Sequence, residues 1–449
     1  MRVLACGLFL ATLTACAAPP PPADLPDRRA ISHEVRSTGP MRRFGAPRVE
    51  APSRSNIDIA RDFLDLSFEM ESGRRIERFS RFEGPVRVSM RGQVPAIAGE
   101  EMNALLARLR NEAGIDIALA GTPDAADAAG IIVEFLPRRQ MQELVPNAAC
   151  FVVPRVAGWE EFRAHRRSAR IDWTTLTERE RVTVFAPSDV SPQEVRDCLH
   201  EELAQALGPL NDIYRLADSV FNDDNFHTVL TGFDMLVLRV TYAPELRSGM
   251  RREDVAARLP AILARLNPRG EGIGSAGAAD PTPREWITAI ETALGARSAP
   301  GDRRAAALRA LAIAESRGWS DNRRAFSHFA VGRLSRASEL DSSRAHFAAA
   351  ARIYRSLPTG ALHVAHVDMQ LAAFALAEGD AEAAHALASR AIPPVEAAQN
   401  AAILATLLMI KAEAAALLGR SAEAEALRLD SFGWARYGFG AESVVRARQ

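Results

Sequence analysis

The sequence lacks most of the features that reveal a function directly. Its 449 residues contain no G-x-S-x-G nucleophile turn, no P-loop and no H-x-H pair. Lysine is almost absent, since Lys411 stands alone among many arginines, a bias that we attribute to codon usage. The formal net charge is only -1, so neither nucleic acid nor an acidic substrate is expected as a partner. With 48% hydrophobic and 25% charged residues, the composition is that of a globular protein of two or three domains.

Long apolar runs are missing after the N-terminus. No later segment approaches the roughly 20 apolar residues that a membrane-spanning helix needs. The N-terminus has Arg2, an apolar stretch over 3–12 and then L-T-A-C ending at Cys16, which resembles a bacterial lipobox. The resemblance implies a lipoprotein signal peptide over 1–16, with Cys16 lipidated as the mature N-terminus.

The residues after Cys16 are rich in proline and arginine and show no sustained periodicity. We therefore predict a flexible tether over 17–56. Ala17 occupies the position where an inner-membrane retention signal would place aspartate, so the expected location is the periplasmic side of the outer membrane. A cleaved secretory peptide with a chance cysteine is the alternative.

Cysteine is scarce. Cys6 lies in the signal peptide and Cys16 would be acylated, which leaves Cys150 and Cys198 as one pair in an oxidising compartment. The simplest expectation is a disulfide that closes a loop of about 49 residues. Two buried free thiols or a thiolate metal site are less favoured, because no CxxC spacing or histidine pair supports them.

The apolar pattern from residue 57 predicts an ordered series of strands and helices. Strands are expected at 86–90, 115–119 and 131–135, at 150–153 as a short edge strand, and at 181–185. A helix is expected over 98–113, ended by Gly114. A second helix should begin after Ser191, with Pro192 at its first position and Glu194 completing a capping box.

This second helix carries the one spacing that points to a known family. From residue 201 the chain reads E-E-L-A-Q-A-L-G-P-L-N, which resembles the metzincin zinc motif H-E-x-x-H-x-x-G-x-x-H with each metal-binding histidine replaced. Glu201, Gln205 and Asn211 occupy the ligand positions. Glu202 and Gly208 are the two motif positions that remain.

The surrounding elements follow the order found in a zincin domain, where the short edge strand lies above the motif helix and across the cleft. The segment D-S-V-F-N (218–222) resembles the metzincin Met-turn, with Phe221 in place of the methionine. Residues 230–242 resemble the helix that closes such domains. The resemblance implies an α/β (α+β) zincin-like domain with a mixed sheet over 57–267.

The replaced ligands determine what this motif can do. A working metzincin needs three neutral imidazoles on zinc and a glutamate that accepts a proton from the bound water. Carboxamides are weak ligands, and an all-oxygen set suits calcium or magnesium better than zinc. The favoured prediction is a metal-free helix, with Glu201, Gln205 and Asn211 hydrogen-bonded across the former site. A weak divalent-cation site is the alternative, and no other cofactor is expected.

Other polar residues near the motif have structural interpretations. If the zinc motif began at His200, its second ligand position would be Ala204, which cannot bind a metal. His200 is therefore expected to lie beside the motif residues on the helix face. His227 would enter the cleft from the Met-turn side, although a lone histidine is more often a surface or capping residue. Four acids at the exit of the helix predict a solvated acidic turn, since they lack EF-hand spacing: Asp212, Asp218, Asp223 and Asp224.

The last third of the chain is rich in alanine, leucine and arginine with helical periodicity. Similar segments begin at residues 339, 378 and 418, at steps of about 40 residues. They resemble slightly long tetratricopeptide repeats and imply an all-α solenoid over 302–440, joined to the first domain by a linker with a short helix over 268–301. An irregular helical bundle is the alternative.

Together, the lipobox-like start, the R-F-E-G-P-V-R-V stretch, the altered zinc motif and the repeat tail resemble a proteobacterial lipoprotein family without an assigned function. We expect a lipid-anchored binding or scaffold protein with an inactive metzincin-like domain and with repeats that contact an envelope protein. The enzyme alternative is a metal-dependent peptidase or cell-wall hydrolase with Glu202 as general base. In a third possibility the repeats alone carry the function.

Overall fold

Residues 86–187 form a five-stranded mixed sheet. The computed structural model describes residues 40–440, apart from 48, 123–127, 129, 223, 225, 278 and 296–297. The strands are β1 (Val86–Gly92), β2 (Ile117–Leu119), β3 (Ile131–Leu136), β4 (Phe151–Pro154) and β5 (Val182–Pro187). Their order is β2-β1-β3-β5-β4, and β4 runs antiparallel to β5 at one edge while the other pairs are parallel.

The sequence pattern explains why these segments become strands. All six residues of β5, V-T-V-F-A-P, are buried, as expected for a parallel strand next to the centre of a covered sheet. The edge strand β4 ends at Pro154, a residue that cannot donate a ladder hydrogen bond and is tolerated at a sheet edge. All five predicted strands are confirmed, with ends that differ by one or two residues.

Eight helices accompany the sheet in the described part of the α/β region. They are α1 (Asn56–Phe68), α2 (Ala98–Ala113), α3 (Arg138–Leu144), α4 (Trp159–His165), α5 (Pro192–Leu207), α6 (Gly232–Thr241), α7 (Arg252–Ala256) and α8 (Leu259–Leu266). Gly114 ends α2 with a φ of 70°, as predicted. The periodicity over 251–266 predicts a single helix, but the structure divides it because Pro260 starts a new helix in α8.

The remainder of the described chain is helical. It contains α9 (Arg284–Leu294), α10 (Pro300–Ser316), α11 (Asn322–Arg333), α12 (Leu340–Ser356), α13 (Ala361–Ala377), α14 (Ala381–Ala397), α15 (Ala401–Leu417) and α16 (Ser421–Phe439). The described helices include none that is long and apolar enough to span a membrane.

The segment predicted to be a linker contributes to the helical core. Trp286 on α9 is completely buried, and its indole N–H donates to Ser327 Oγ at 3.0 Å. A side chain of this size removes a large apolar surface from water only when the surrounding helices enclose it. Helix α9 is therefore the first packed helix of the C-terminal region rather than part of a loose connection.

The predicted tether over 17–56 needs a correction at its C-terminal end. The Phe44 ring stacks on Trp434 of α16 with 4.2 Å between centroids. The Arg42 N–H donates to the Gly433 carbonyl at 2.9 Å, and its guanidinium pairs with Asp430. Composition alone favoured a mobile arm, but these partners lie almost 400 residues away and leave no local signal. The lipidation residue Cys16 lies outside the described residues.

The α/β region and the helices form one body. All described residues from 40 to 440 belong to a single compact unit. At the junction, the Tyr437 hydroxyl donates to Glu101 Oε1 at 2.6 Å, which joins the last helix to α2. The relation between the motif helix and the C-terminal helices can therefore be described directly.

Candidate functional site

The motif helix α5 begins as its sequence predicts. Ser191 Oγ accepts a hydrogen bond from the Glu194 N–H at 3.2 Å, and the Glu194 carboxylate accepts from the Ser191 N–H at 3.3 Å. Pro192 occupies the first helical position, where its missing N–H costs nothing. The predicted capping box is confirmed.

A buried arginine caps the C-terminal end of α5. The Arg179 guanidinium donates to the carbonyls of Gln205 at 2.6 Å and Ala206 at 2.7 Å, and also to that of Gly208. These are carbonyls that a helix end leaves without intrahelical partners. Burial lowers the pKa of Arg179 to about 10, so the side chain stays charged at neutral pH. No local pattern in the sequence pointed to this residue.

Close packing explains why position 208, one of the two retained motif positions, is a glycine. A Cβ atom at this position would lie 2.9 Å from Thr241 Cγ2 on α6. The glycine therefore allows α5 to end directly against α6.

The predicted disulfide is present. Cys150 directly precedes β4 and Cys198 lies on α5, and their sulfur atoms are at bonding distance with 5.9 Å between Cα atoms. The bond links the edge strand of the sheet to the N-terminal half of the motif helix.

The former ligand positions are tied to other parts of the chain. Gln205 Nε2 donates to Asp212 Oδ2 at 3.2 Å, and Asn211 Nδ2 donates to the Asp65 carbonyl at 3.1 Å. The prediction that Glu201, Gln205 and Asn211 bond across one site is therefore wrong for the two amides. The reason is that Asn211 follows the Gly208 turn toward α1, away from the helix face.

These residues do not fit a catalytic zinc. They offer one carboxylate and two carboxamides whose N–H groups already bond to protein oxygens, where zinc would need imidazole nitrogens. Within the described ranges, no three His, Cys, Asp or Glu side chains are grouped so as to hold a metal ion. The donor set of the motif helix therefore gives no basis for zinc-dependent chemistry.

Glu202, the retained glutamate of the motif, is buried, and its Oε2 has no hydrogen-bond partner among the described residues. Only 4% of the residue is exposed. Burial raises its pKa well above the usual range, and the nearby Glu201 and Glu71 carboxylates raise it further. Burial therefore favours the neutral acid over the carboxylate at this position.

His200 and Phe221, two other residues discussed with the motif, make contacts that stabilise the fold. His200 Nδ1 accepts a hydrogen bond from the Leu230 N–H at 3.1 Å, and burial lowers its pKa well below the usual range. His200 therefore holds the segment before α6 as a neutral ring. Phe221 is completely buried in the core, where its carbonyl accepts from the Ile213 N–H at 2.9 Å.

The prediction of a solvated acidic turn is wrong for Asp218 and Asp224. Asp218 pairs with Arg54. Asp224 is 9% exposed, and its Oδ2 lies 3.2 Å from His363 Nε2 on α13. Both acids are bound by residues from distant segments and are shielded from solvent. The spacing of the acids in the sequence could not reveal these partners. Asp223 lies outside the described residues.

A cavity of about 390 Å³ separates α5 from the C-terminal helices. One face of α5 contributes Gln193, Asp197 and Glu201, which are spaced by four residues and so share that face. The segment before α6 contributes Val220, Asp224, Phe226, His227 and Thr228, and the C-terminal helices contribute Phe326, Phe329, Arg333, His366 and Asn400 among others. His227 borders the cavity together with Val220 of the segment that resembles the Met-turn. Glu202, Gln205 and Asn211 do not line it.

Specific hydrogen bonds hold the two walls of the cavity together. Gln193 Oε1 accepts from the Ala402 N–H at 2.9 Å, and its amide group donates to Asn400 Oδ1 at 3.2 Å. Arg196 donates to the Gln399 carbonyl at 2.5 Å. The face of α5 that carries Glu201 is therefore covered by the chain's own C-terminal helices.

Sequence reasoning missed most of this cavity, although two signals pointed to it. Gln193 and Asp197 precede Glu201 at helical spacing, and the L-H-V-A-H stretch places His363 and His366 one turn apart. Their meeting depends on tertiary packing, which one sequence does not reveal.

One family model matches the α/β part of the chain. Residues 56–261 match the family described as "Protein of unknown function (DUF2927)". The match runs from α1 into α8, and therefore covers the sheet and the motif helix. No curated protein and no solved structure matches the chain significantly. The described chain thus consists of a mixed α/β region that this family model matches, followed by an all-helical region.

Proposed function

We propose that the protein is a lipid-anchored periplasmic binding or scaffold protein at the outer membrane, with an inactive metzincin-like domain and helical repeats that bind an envelope protein. The observation that carries the proposal is the state of the former ligand positions. The Gln205 and Asn211 amides bond to Asp212 and to the Asp65 backbone, so the motif helix acts as a structural element.

The sheet supports the metzincin-like part of this proposal. Its edge strand β4 is short and antiparallel, and the Cys150–Cys198 bond attaches it to the motif helix. This agrees with a fold in which the edge strand lies above that helix. The sequence at Cys16, outside the described residues, supports the lipid anchor.

The C-terminal helices support the repeat part. Helices α12, α14 and α16 begin about 40 residues apart, at Leu340, Ala381 and Ser421. Gly379 and Gly419, with φ values of 82° and 76°, end the helices that precede α14 and α16. The same turn chemistry at the same spacing favours a tandem repeat over an irregular bundle.

The covered face of α5 bears on where a partner would bind. The C-terminal helices already occupy the side of the motif helix that carries Glu201, so a partner of the intact protein would contact the outer faces of those helices. Leu417 at the end of α15 is 63% exposed and offers a probe position there.

Site-specific photo-crosslinking in intact cells tests the proposal. A photoreactive residue at Leu417 should capture one discrete envelope protein. The same residue at Glu160, whose side chain is 74% exposed on the α/β part, serves as the matched control and should not capture it. Capture at Glu160 but not at Leu417, or at neither position, would contradict the proposal.

One observation favours the enzyme alternative. The buried Glu202 carboxyl has a raised pKa, as general bases in clefts often do. It does not line the cavity, however, and a general base must reach the proton that it removes. Stoichiometric zinc in the purified protein, with peptide cleavage that Glu202→Gln abolishes and Glu425→Gln leaves intact, would establish the enzyme.

A further inference from the structure

The cavity between α5 and the C-terminal helices has the size of a small-ligand site. Its volume of about 390 Å³ lies within the range of roughly 300–1,000 Å³ that such pockets occupy. Three carboxylates border it: Asp197, Glu201 and Asp224. Asp224 is already engaged by Asn222 Nδ2 at 2.8 Å and by His363. Asp197 and Glu201 lie one turn apart on the same face of α5 and place two acids on that wall of the cavity.

Two acceptor atoms at this cavity have no hydrogen-bond partner in the part of the chain that the structure describes. The first is Asp197 Oδ1, which lies 3.9 Å from Arg196 Nε, beyond hydrogen-bond distance, on a side chain that is 30% accessible. The second is Nε2 of His366, a residue that is 8% exposed. Burial lowers the pKa of His366 well below the usual range, so this imidazole is neutral and can accept an N–H. Both atoms are suited to a ligand that donates hydrogen bonds.

The apolar lining favours a cation as that donor. Phe226 lies 5.8 Å from Phe326 and 5.7 Å from Phe329 between ring centroids, and all three rings border the cavity. Aromatic faces next to carboxylates are the surroundings that attract ammonium groups. Arg333 opposes a second cation, because its guanidinium lies 5.9 Å from the Phe329 ring centroid. Its side chain is exposed, however, so solvent screens its charge.

We propose that this cavity binds a small alkylammonium group, with Asp197 and His366 as hydrogen-bond acceptors, Glu201 as a second negative charge and the phenylalanine cluster around the alkyl chain. The group could belong to a free amine or to a lysine side chain of a partner protein. The site does not depend on the scaffold role, because it lies within a single chain.

The pKa of Asp197 supports the site. Burial raises it to about 7, and the Arg196 charge and the Gln193 amide offset only part of that effect. An ammonium group would supply a donor and a positive charge, and so would favour the ionised carboxylate.

Calorimetric titration of the purified full chain tests the site at about pH 8, where the Asp197 carboxylate is mostly ionised. The probes are putrescine, butylamine, Nα-acetyl-lysine methylamide and the uncharged butanediol. Putrescine or butylamine should bind at millimolar concentration and butanediol should not. A preference for the lysine derivative over both free amines would assign the site to a partner's side chain.

Two variants locate the binding. Asp197→Asn removes the charge at nearly constant shape and should weaken amine binding roughly tenfold, the loss expected for one charge-assisted hydrogen bond. Asp341→Asn, which changes an exposed aspartate on α12, should leave it unchanged. Thermal unfolding of each variant separates weakened binding from loss of fold.

Three results would overturn the proposal: no heat from any amine, equal binding of butanediol, or equal affinity in Asp197→Asn and wild type. Because the readout is amine binding to isolated protein, failure here leaves the crosslinking test of the scaffold role unaffected.

Discussion

His363 Nε2 lies 3.2 Å from Asp224 Oδ2, and both side chains are almost completely buried where α13 meets the segment before α6. The residues are 139 positions apart in the chain. This contact joins the helical region to the α/β region next to the cavity. Its contribution to stability can be measured.

Replacing either partner of this pair should destabilise the whole protein. His363→Gln or Asp224→Asn should each lower the free energy of unfolding by about 2 kcal/mol, because a buried polar group loses its partner. A double-mutant cycle in urea should give a coupling energy of at least about 1 kcal/mol between the two sites. Additive effects would show that the pair does not couple the two regions.

Glu202 should make stability depend on pH. Its pKa is raised by burial, so the folded state holds a proton that the unfolded chain loses at about pH 4.3. Stability is fully present below that pH and is lost as the pH rises toward the folded-state pKa. Glu202→Gln should therefore raise the free energy of unfolding at about pH 8 by at least about 1 kcal/mol, with little change near pH 4.

Urea unfolding at the two pH values checks the Glu202 prediction. Glu425→Gln, which changes an exposed glutamate within α16, is the control and should alter neither value. A destabilised Glu202→Gln protein at about pH 8 would mean that the carboxyl is ionised and held by a partner.

Arg179 should be important for stability because its guanidinium donates hydrogen bonds to three carbonyl groups. Arg179→Leu leaves those of Gln205, Ala206 and Gly208 without their donor, and we expect a loss of about 3 kcal/mol in the free energy of unfolding. Arg179→Lys should recover only part of it, because an ammonium lacks the planar fork. Chemical denaturation measures both, with the exposed Arg309→Leu as control. Full rescue by lysine would show that charge alone suffices.

Removing the disulfide should lower stability. Replacing Cys150 and Cys198 together by serine reopens a loop with a sequence separation of 48. The chain-entropy relation gives a loss of about 4 kcal/mol in the free energy of unfolding. Comparing oxidised wild type, reduced wild type and the double variant by thermal unfolding checks this value. Equal stability of all three would show that the bond is dispensable for the fold.

The accuracy of sequence reasoning differed between local and distant features. The start of α5 was predictable because Ser191, Pro192 and Glu194 act within one turn of helix. The disulfide was predictable because only Cys150 and Cys198 remained to pair. The strands of the sheet were predictable because apolar residues dominate each segment.

The rest of the site depends on contacts between residues far apart. Arg179 reaches α5 from a loop before β5, and His363 reaches Asp224 from a helix in another region. In the sequence alone, an arginine or histidine with such a distant partner cannot be distinguished from a surface residue. The expected bonds among Glu201, Gln205 and Asn211 failed for the same reason, because Asn211 found Asp65 on α1 instead.

The contact between Arg42 and Gly433 bears on the order in which the protein can assemble during synthesis. The segment around Phe44 packs on Trp434 in α16, which lies about 390 residues later in the chain. It therefore has no partner there until synthesis has passed α16. A truncated product that ends before α16 would leave this segment without its partner, which gives quality-control proteases an exposed N-terminal stretch of chain to recognise.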